Sequence, residues 1–288
     1  MSATVITVTS GKGGVGKTTT TAAFGAALAL EGHRVCVVDF DMGLRNLDLV
    51  MGVEKRVVYD FLHVAHGTAN LSQALVRDKR VPNLFLLATS QTADKEELTH
   101  EAIDHVMNLL RGEFDYILCD SPAGIEHGAM MALHHADHAI VVCNPEMTSV
   151  RDADRIMGYI AARSRRAQAG LSPVREHLVV TRYSEERVRK GEMLSLETIQ
   201  DILVMPLLAV VPESDSVLRS SNAGRPASLD GKTDAGRAYR AAARSFLAET
   251  RHGIAQSYRA PQMAGAGFLS ALTETAQRGL LRRLFRHA

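Results

Sequence analysis

The chain has 288 residues, 46% hydrophobic and 23% charged, an ordinary balance for a soluble globular protein and enough length for one large domain or two small ones. No apolar run is long enough to span a bilayer, and the first residues enter a strand without the basic and apolar regions of a signal peptide. Net charge is +1, but residues 251–288 carry six arginines against one acid, Glu274, so the tail holds +5 and the body −4; the body argues against a general nucleic-acid surface and the tail for an anionic partner.

In chain order, residues 5–8 read as a short apolar strand. Gly11-Lys12-Gly13-Gly14-Val15-Gly16-Lys17-Thr18 follows, and residues 19–30 read as an alanine-rich helix closed by Gly32. Residues 35–38 are continuously apolar, as in a buried parallel strand, and end in Asp39-Phe40-Asp41. Residues 42–48 read as a loop turning into a helix, 57–65 and 70–77 as short helices, and 84–88 as a strand after a Pro82-Asn83 turn. A polar loop at 90–97 precedes a helix at 99–111, with Ile103, Val106, Met107 and Leu110 on one face.

The strand at 116–119 ends in Asp120-Ser121-Pro122-Ala123-Gly124. A helix at 125–135, a strand at 138–143 stopped by Asn144-Pro145, a helix at 148–167, strands at 178–180 and 207–211, and a helix at 234–250 complete the body. The alternation predicts an α/β fold: a P-loop NTPase-type domain with a mostly parallel sheet, helices on both faces, and ligands at the strand C-terminal ends. Cys36, Cys119 and Cys143 fall in the apolar runs without ligand spacing and read as buried free thiols.

The glycine-rich stretch fits G-x-x-x-x-G-K-[ST], the loop whose backbone N–H groups cradle phosphate. The glycines let the backbone wrap, and the helix start adds partial positive charge. Lys17 should reach the β- and γ-phosphates, and Thr18 should offer its hydroxyl to Mg²⁺, with Thr19 beside it in the first turn. Asp120, closing an apolar strand, fits the carboxylate that holds the metal. Asp39 and Asp41 lie on the same side if their strand continues. They then serve to orient water or support the metal shell; otherwise they cap the following turn.

Two further clusters receive plainer readings. His134, His135 and His138 read as a partly exposed helix end rather than a metal site, because no clear third ligand follows. Arg163, Arg165 and Arg166 read as a solvated helix terminus. The tail is more specific. Taken as a helix, it sets Leu280, Leu281, Leu284 and Phe285 on one arc of about 140°, with Arg278, Arg282, Arg283 and Arg286 mostly opposite. That pattern describes a helix lying in a membrane interface or one docked on the protein's own core or on a partner subunit, and the Gly- and Ala-rich joint at 261–267 before it favours a detached element. Binding by one tail should be marginal, and by two held together much tighter.

These stretches closely resemble the MinD family of bacterial cell-division-site ATPases, within the wider deviant Walker A P-loop class that includes ParA. The resemblance runs along nearly the whole chain. It is carried by the glycine-rich loop, by Asp39–Leu49 and Arg56–Asp60, by Cys119–Glu126 and Ser149–Asp152, and by the tail Arg278–Phe285. It implies a deviant Walker A ATPase domain at 1–258, a flexible linker at 259–273 and an amphipathic membrane-targeting helix at 274–288.

It also implies an ATP- and Mg²⁺-dependent sandwich homodimer. Lys12 would reach across to the partner's phosphates, Asp41 would orient the attacking water, and Asp39 and Asp120 would support the metal. Asn46 would lie at the dimer face and adenine near Arg182 and Pro212. The septation inhibitor MinC and the activator MinE would dock near Arg45, Arg151 and Asp152. The implied location is cytoplasmic, reversibly peripheral on the inner face of the cell membrane through Leu280, Leu281, Arg282, Arg283, Leu284 and Phe285. A ParA-type ATPase that partitions DNA or cargo is the rival of the same fold, and the acidic body weighs against it. Two stretches depart from the family pattern: the ending Arg286-His287-Ala288 and residues 260–267.

Overall fold

A computed structural model describes residues 3–251, except 92, 94–96, 125 and 126. The expected linker at 259–273 and tail helix at 274–288 lie outside the described residues. The chain divides into two units, Met1–Ala248 and Glu249–Ala288.

β1 (Thr4–Thr9) leads through the glycine loop into α1 (Lys17–Leu30), and β2 (Val35–Asp39) leads into α2 (Leu47–Met51). Two short helices, α3 (Phe61–Ala65) and α4 (Leu71–Ala74), precede the paired strands β3 (Val76–Arg77) and β4 (Leu84–Leu87). Next come α5 (His100–Arg111), β5 (Tyr116–Asp120), α6 (His127–Leu133), β6 (His138–Cys143), α7 (Met147–Arg163) and α8 (Arg165–Gln168). β7 (Arg175–Tyr183), α9 (Glu185–Arg189), α10 (Leu196–Ile202), β8 (Leu207–Pro212), α11 (Asp215–Asn222) and α12 (Asp234–Arg251) follow.

The strands form one sheet in the order β3-β4-β2-β5-β1-β6-β7-β8. Every neighbouring pair is parallel except β3 with β4. Successive side chains on β1 go to opposite faces, as the two-residue period of a strand requires. Ile6 and Val8 join Val35, Val37 and Leu118 beneath α1 and α12. Val5 joins Cys36, Val38 and Ile117 beneath α5, whose Ile103, Val106, Met107 and Leu110 are all buried as the helical spacing predicts. A third apolar cluster packs α7 and α10 over β6 and β7. Helix α1 sits unusually close to the sheet: a Cβ on Gly25 would meet Val37 Cγ1 at 2.7 Å. All three cysteines are buried free thiols.

Several elements differ from the expectations. The helix expected at 70–77 stops at Ala74, because Leu75 is extended and Val76 and Arg77 pair antiparallel with Leu86 and Phe85. That pairing covers the edge of β4, a tertiary demand that local pattern does not express. The helix expected at 57–65 begins only after Asp60, whose carboxylate accepts the Leu62 and His63 N–H groups at 3.0 and 3.1 Å. The helix expected at 148–167 breaks at Ser164, where the extended backbone lets Oγ cap α8 by accepting from Ala167 N at 3.2 Å. His138 does not share the expected partly exposed helix end with His134 and His135, because α6 ends at Leu133 and His138 opens β6, where it is buried, as is His135. Helices α9, α10 and α11 add to the expected elements, since helices this short express little periodicity.

The parallel registers bring three strand ends together. Val8 lies opposite Asp120 on one side of β5, and Asp39 lies opposite Asp120 on the other. The loop after β1 and the acids after β2 and β5 therefore share one edge of the sheet, where ligands of open α/β folds bind.

Candidate functional site

The glycine loop is a built structure. Gly14 and Gly16 have φ of 76° and 98°, in the left-handed region that side chains avoid. Gly16 is the N-cap of α1 and offers no side-chain cap, so the first N–H groups of the helix remain available to an anion. Gly11 has to be glycine for a different reason: a Cβ there would lie 2.3 Å from the carbonyl oxygen of Asp152 on α7. The loop is braced from both ends. Ser10 Oγ donates to the Lys12 carbonyl at 2.7 Å. The Thr181 hydroxyl lies 2.7 Å from both the Val15 carbonyl and Asn144 Oδ1; it carries one proton, so one of them receives it at a time.

Lys17 is buried, and its ammonium donates to Ser10 Oγ at 3.1 Å. Burial lowers its pKa, against the opposing pull of the Asp120 and then the Asp41 charges. Asp120 is buried at the end of β5 and accepts from Thr21 Oγ1 at 2.8 Å and from the Thr18 hydroxyl. Burial, countered by those hydrogen bonds, raises its pKa to about 6. Asp39 is also raised well above the carboxylate range, first by burial and then by the neighbouring Asp120. Two buried carboxylates on adjacent strands cannot both ionise without added positive charge. This donor set, the Thr18 hydroxyl and a buried lysine beneath an uncapped helix start fit a Mg²⁺–nucleotide phosphate group.

The two acids of the second strand have separated roles. β2 ends at Asp39, so the shared side expected from a continuing strand does not arise. Asp39 instead accepts from Asp41 N at 2.8 Å and from Leu47 N at 3.2 Å, holding the turn between them. Asp41 is half-buried and close enough to Lys17 to act on its charge.

The remaining predicted residues each have their own local setting. Thr19 is half-buried in the first turn of α1. Lys12, half exposed, forms an ion pair with Glu146 Oε2 at 2.7 Å and lies 3.4 Å from Thr148 Oγ1. Arg45, at φ 44°, folds onto buried Asp48 with Nε 2.7 Å from Oδ2, which leaves its side chain only 16% exposed. Asn46 is exposed at the head of α2 without capping it. Arg151 is exposed on α7, and Asp152 backs Gly11.

Arg182, exposed and at φ 54°, follows Thr181 on β7. Pro212 of β8 pairs with Tyr183 of β7, so Arg182 and Pro212 lie on adjacent strand ends, with β7 braced to the loop through Thr181. Residues 280–285, expected to meet the membrane, lie outside the described residues. Ser10, Thr21, Asn144 and Glu146 also belong to this region, and no motif in the sequence marks them. Glu146 follows the β6 stop at the ligand edge, a position that the strand-end rule alone marks for inspection.

Residues 6–227 match the family of the CobQ/CobB/MinD/ParA nucleotide binding domain. The chain is 54% identical over 250 residues to the septum site-determining protein MinD of Escherichia coli K12, covering 86% of this chain and 93% of that one. Among solved structures it is similar to a chain of the MinC:MinD cell division protein complex of Aquifex aeolicus, with 42% identity and a TM-score of 0.75 over 86% of this chain and 96% of that chain. The MinD of Pyrococcus horikoshii complexed with Mg-ADP is 31% identical with a TM-score of 0.72, over 86% and 98% of the respective chains. Among the described residues, no helix is long and apolar enough to cross a membrane.

Proposed function

The chain belongs to the MinD family, and from that premise we propose that it hydrolyses ATP with Mg²⁺, and that its nucleotide state controls a homodimer which positions cell division. The observation that carries this reading is the buried Lys17 with Asp39 and Asp120 at the uncapped start of α1. The loop N–H groups and Lys17 bind the β- and γ-phosphates, and Thr18 and Asp120 hold the metal, with Asp39 fixing the turn behind them. Bound Mg²⁺ neutralises charge on the phosphate oxygens. Asp41 orients the attacking water, and Arg182 and Pro212 flank the base. Lys12 leaves Glu146 and reaches the partner's phosphates, which makes each site dependent on two chains.

Dimerisation then pairs two tails. Residues 1–258 act as the ATPase domain, 259–273 as a linker and 274–288 as the membrane-targeting helix, with Leu280, Leu281, Leu284 and Phe285 facing lipid and Arg282 and Arg283 facing anionic headgroups. The +5 tail and −4 body support a lipid partner over nucleic acid. With Asn46 at the dimer face, the dimer recruits MinC to the membrane near Arg45, Arg151 and Asp152, and MinE-stimulated hydrolysis returns the protein to the cytoplasm.

Sedimentation with anionic liposomes tests the switch, comparing ATP with ADP, the full chain with one ending at Pro261, and wild type with Lys12→Ala. The full chain should sediment only with ATP. Equal recovery of full and shortened chains would refute the tail's role, and normal ATP-dependent sedimentation of Lys12→Ala would refute the shared site. Phosphate release in the presence of MinE and lipid tests turnover.

A further inference from the structure

The histidines at the end of α6 acquire in three dimensions the third ligand that sequence order concealed. Asp104, from the middle of α5, places Oδ1 2.7 Å from His135 Nε2 and 3.7 Å from His134 Nε2. One ligand atom from each of these three residues lies within 4.8 Å of the other two. His100 precedes Asp104 by four residues on α5, one helical turn, and its ring centroid is 4.4 Å from that of His134. We propose that Asp104, His134 and His135, with His100 as the fourth ligand, bind a divalent transition-metal ion of the zinc class and clamp α5 to the end of α6.

Three nitrogens and one carboxylate oxygen are the donors such ions prefer, whereas Mg²⁺ and Ca²⁺ prefer all-oxygen shells. Metal–ligand bonds of about 2.0–2.1 Å in a tetrahedron put ligand atoms roughly 3.3 Å apart, inside the range already present here. The cluster grades from solvent inward: His100 is exposed, the side chains of Asp104 and His134 are 48% and 19% exposed, and that of His135 is 5% exposed. An ion therefore has an entry path and a rigid floor.

Among the described residues, two cations face the cluster. Arg111 is committed elsewhere, donating to the carbonyls of Ala3 and His135. Arg165, exposed, lies with Nη1 3.4 Å from His135 Nδ1. With the metal on Nε2, Nδ1 takes the proton and Arg165 swings into solvent, a small loss for a surface contact. The clamp acts on a helix already tied to the sheet, because Thr7 Oγ1 donates to the Ala132 carbonyl at 2.6 Å.

The test uses untagged full-length protein in millimolar Mg²⁺, which occupies the nucleotide-side acids, titrated with Zn²⁺ in a calorimeter. One equivalent should bind. Asp104→Asn, His134→Ala and His100→Ala should each weaken it at least about tenfold, the loss typical when even a supporting residue of a metal ligand is removed. Co²⁺ in place of Zn²⁺ should give the intense visible band of a tetrahedral ion, lost in the same variants. His100 and Asp104 are exposed enough for folding to survive, which circular dichroism verifies. Failure of the wild type to take up Zn²⁺, or unchanged binding in these three variants, overturns the proposal.

Discussion

The ligand edge of the sheet and the histidine corner between α5 and α6 both gather ionisable groups, and they do so by different means. At the edge, Asp39 and Asp120 are neighbours because β2 and β5 are paired in register, and Lys17 is set by a loop whose backbone is braced by Ser10 and Thr181. At the corner, two helices bring side chains together and no shared main-chain ladder holds them. The first arrangement keeps charges buried and costs desolvation that an anion and a cation together can return. The second reaches solvent at His100 and Asp104, which are replaceable without threatening the fold.

Substitutions should separate the two regions by the size of their effects. Lys17→Ala should lower ATP-dependent phosphate release by about 10²–10³-fold or more with the far-ultraviolet spectrum unchanged, since it removes the buried cation alone; retained turnover would break the assignment of the edge. Gly11→Ala forces a Cβ to within 2.3 Å of the Asp152 carbonyl oxygen, a backbone atom that no rotamer change can move. It should destabilise the protein by about 1–3 kcal/mol in urea melts and weaken nucleotide binding together.

A third histidine environment sharpens the comparison. His138 is buried against His177, with ring centroids 5.3 Å apart, and both rings meet Phe246 of α12. Burial, then the charges of His177, Arg175 and Arg166, push the His138 pKa down to about 3. Its folded value lies below its unfolded one, so the unfolded chain binds the proton first as pH falls. Stability contributed by neutral His138 is complete above about pH 6.5 and declines progressively toward pH 3, with a slope of up to about 1.4 kcal/mol per pH unit. His138→Gln should flatten that slope in melts across pH 4–7, and an unchanged slope would show that other groups carry it. Smallest of all, Glu146→Gln breaks the half-exposed pair with Lys12 and should move stability by less than about 1 kcal/mol.

Much of the edge was legible in the residues. The glycine spacing, the Lys17-Thr18 ending and an apolar run closing in Asp120 are local patterns with local causes: positive φ, a helix start and a strand end. The core face of α5 was legible for the same reason, since Ile103, Val106, Met107 and Leu110 obey the helical period. The separation of Asp39 from Asp41 was not, because it depended on where β2 stops. β3 was hidden because two residues pair only when β4 presents an open edge, and α9 to α11 because short helices express little periodicity.

By itself the sequence determined the phosphate loop, the acids at the strand ends and the alternation that makes a parallel sheet, because each depends on residues within a few positions of one another. Only the tertiary structure decided that Asp39 faces Asp120, that Lys12 rests on Glu146 and that Asp104 stands beside His134 and His135. Those pairs are separated by 30 to 134 positions, and their meeting is set by which strands pair and which helix packs on which face. Turn and helix chemistry act over a few bonds. The burial of a whole sheet acts over the whole chain, and it is that burial which chooses partners at a distance.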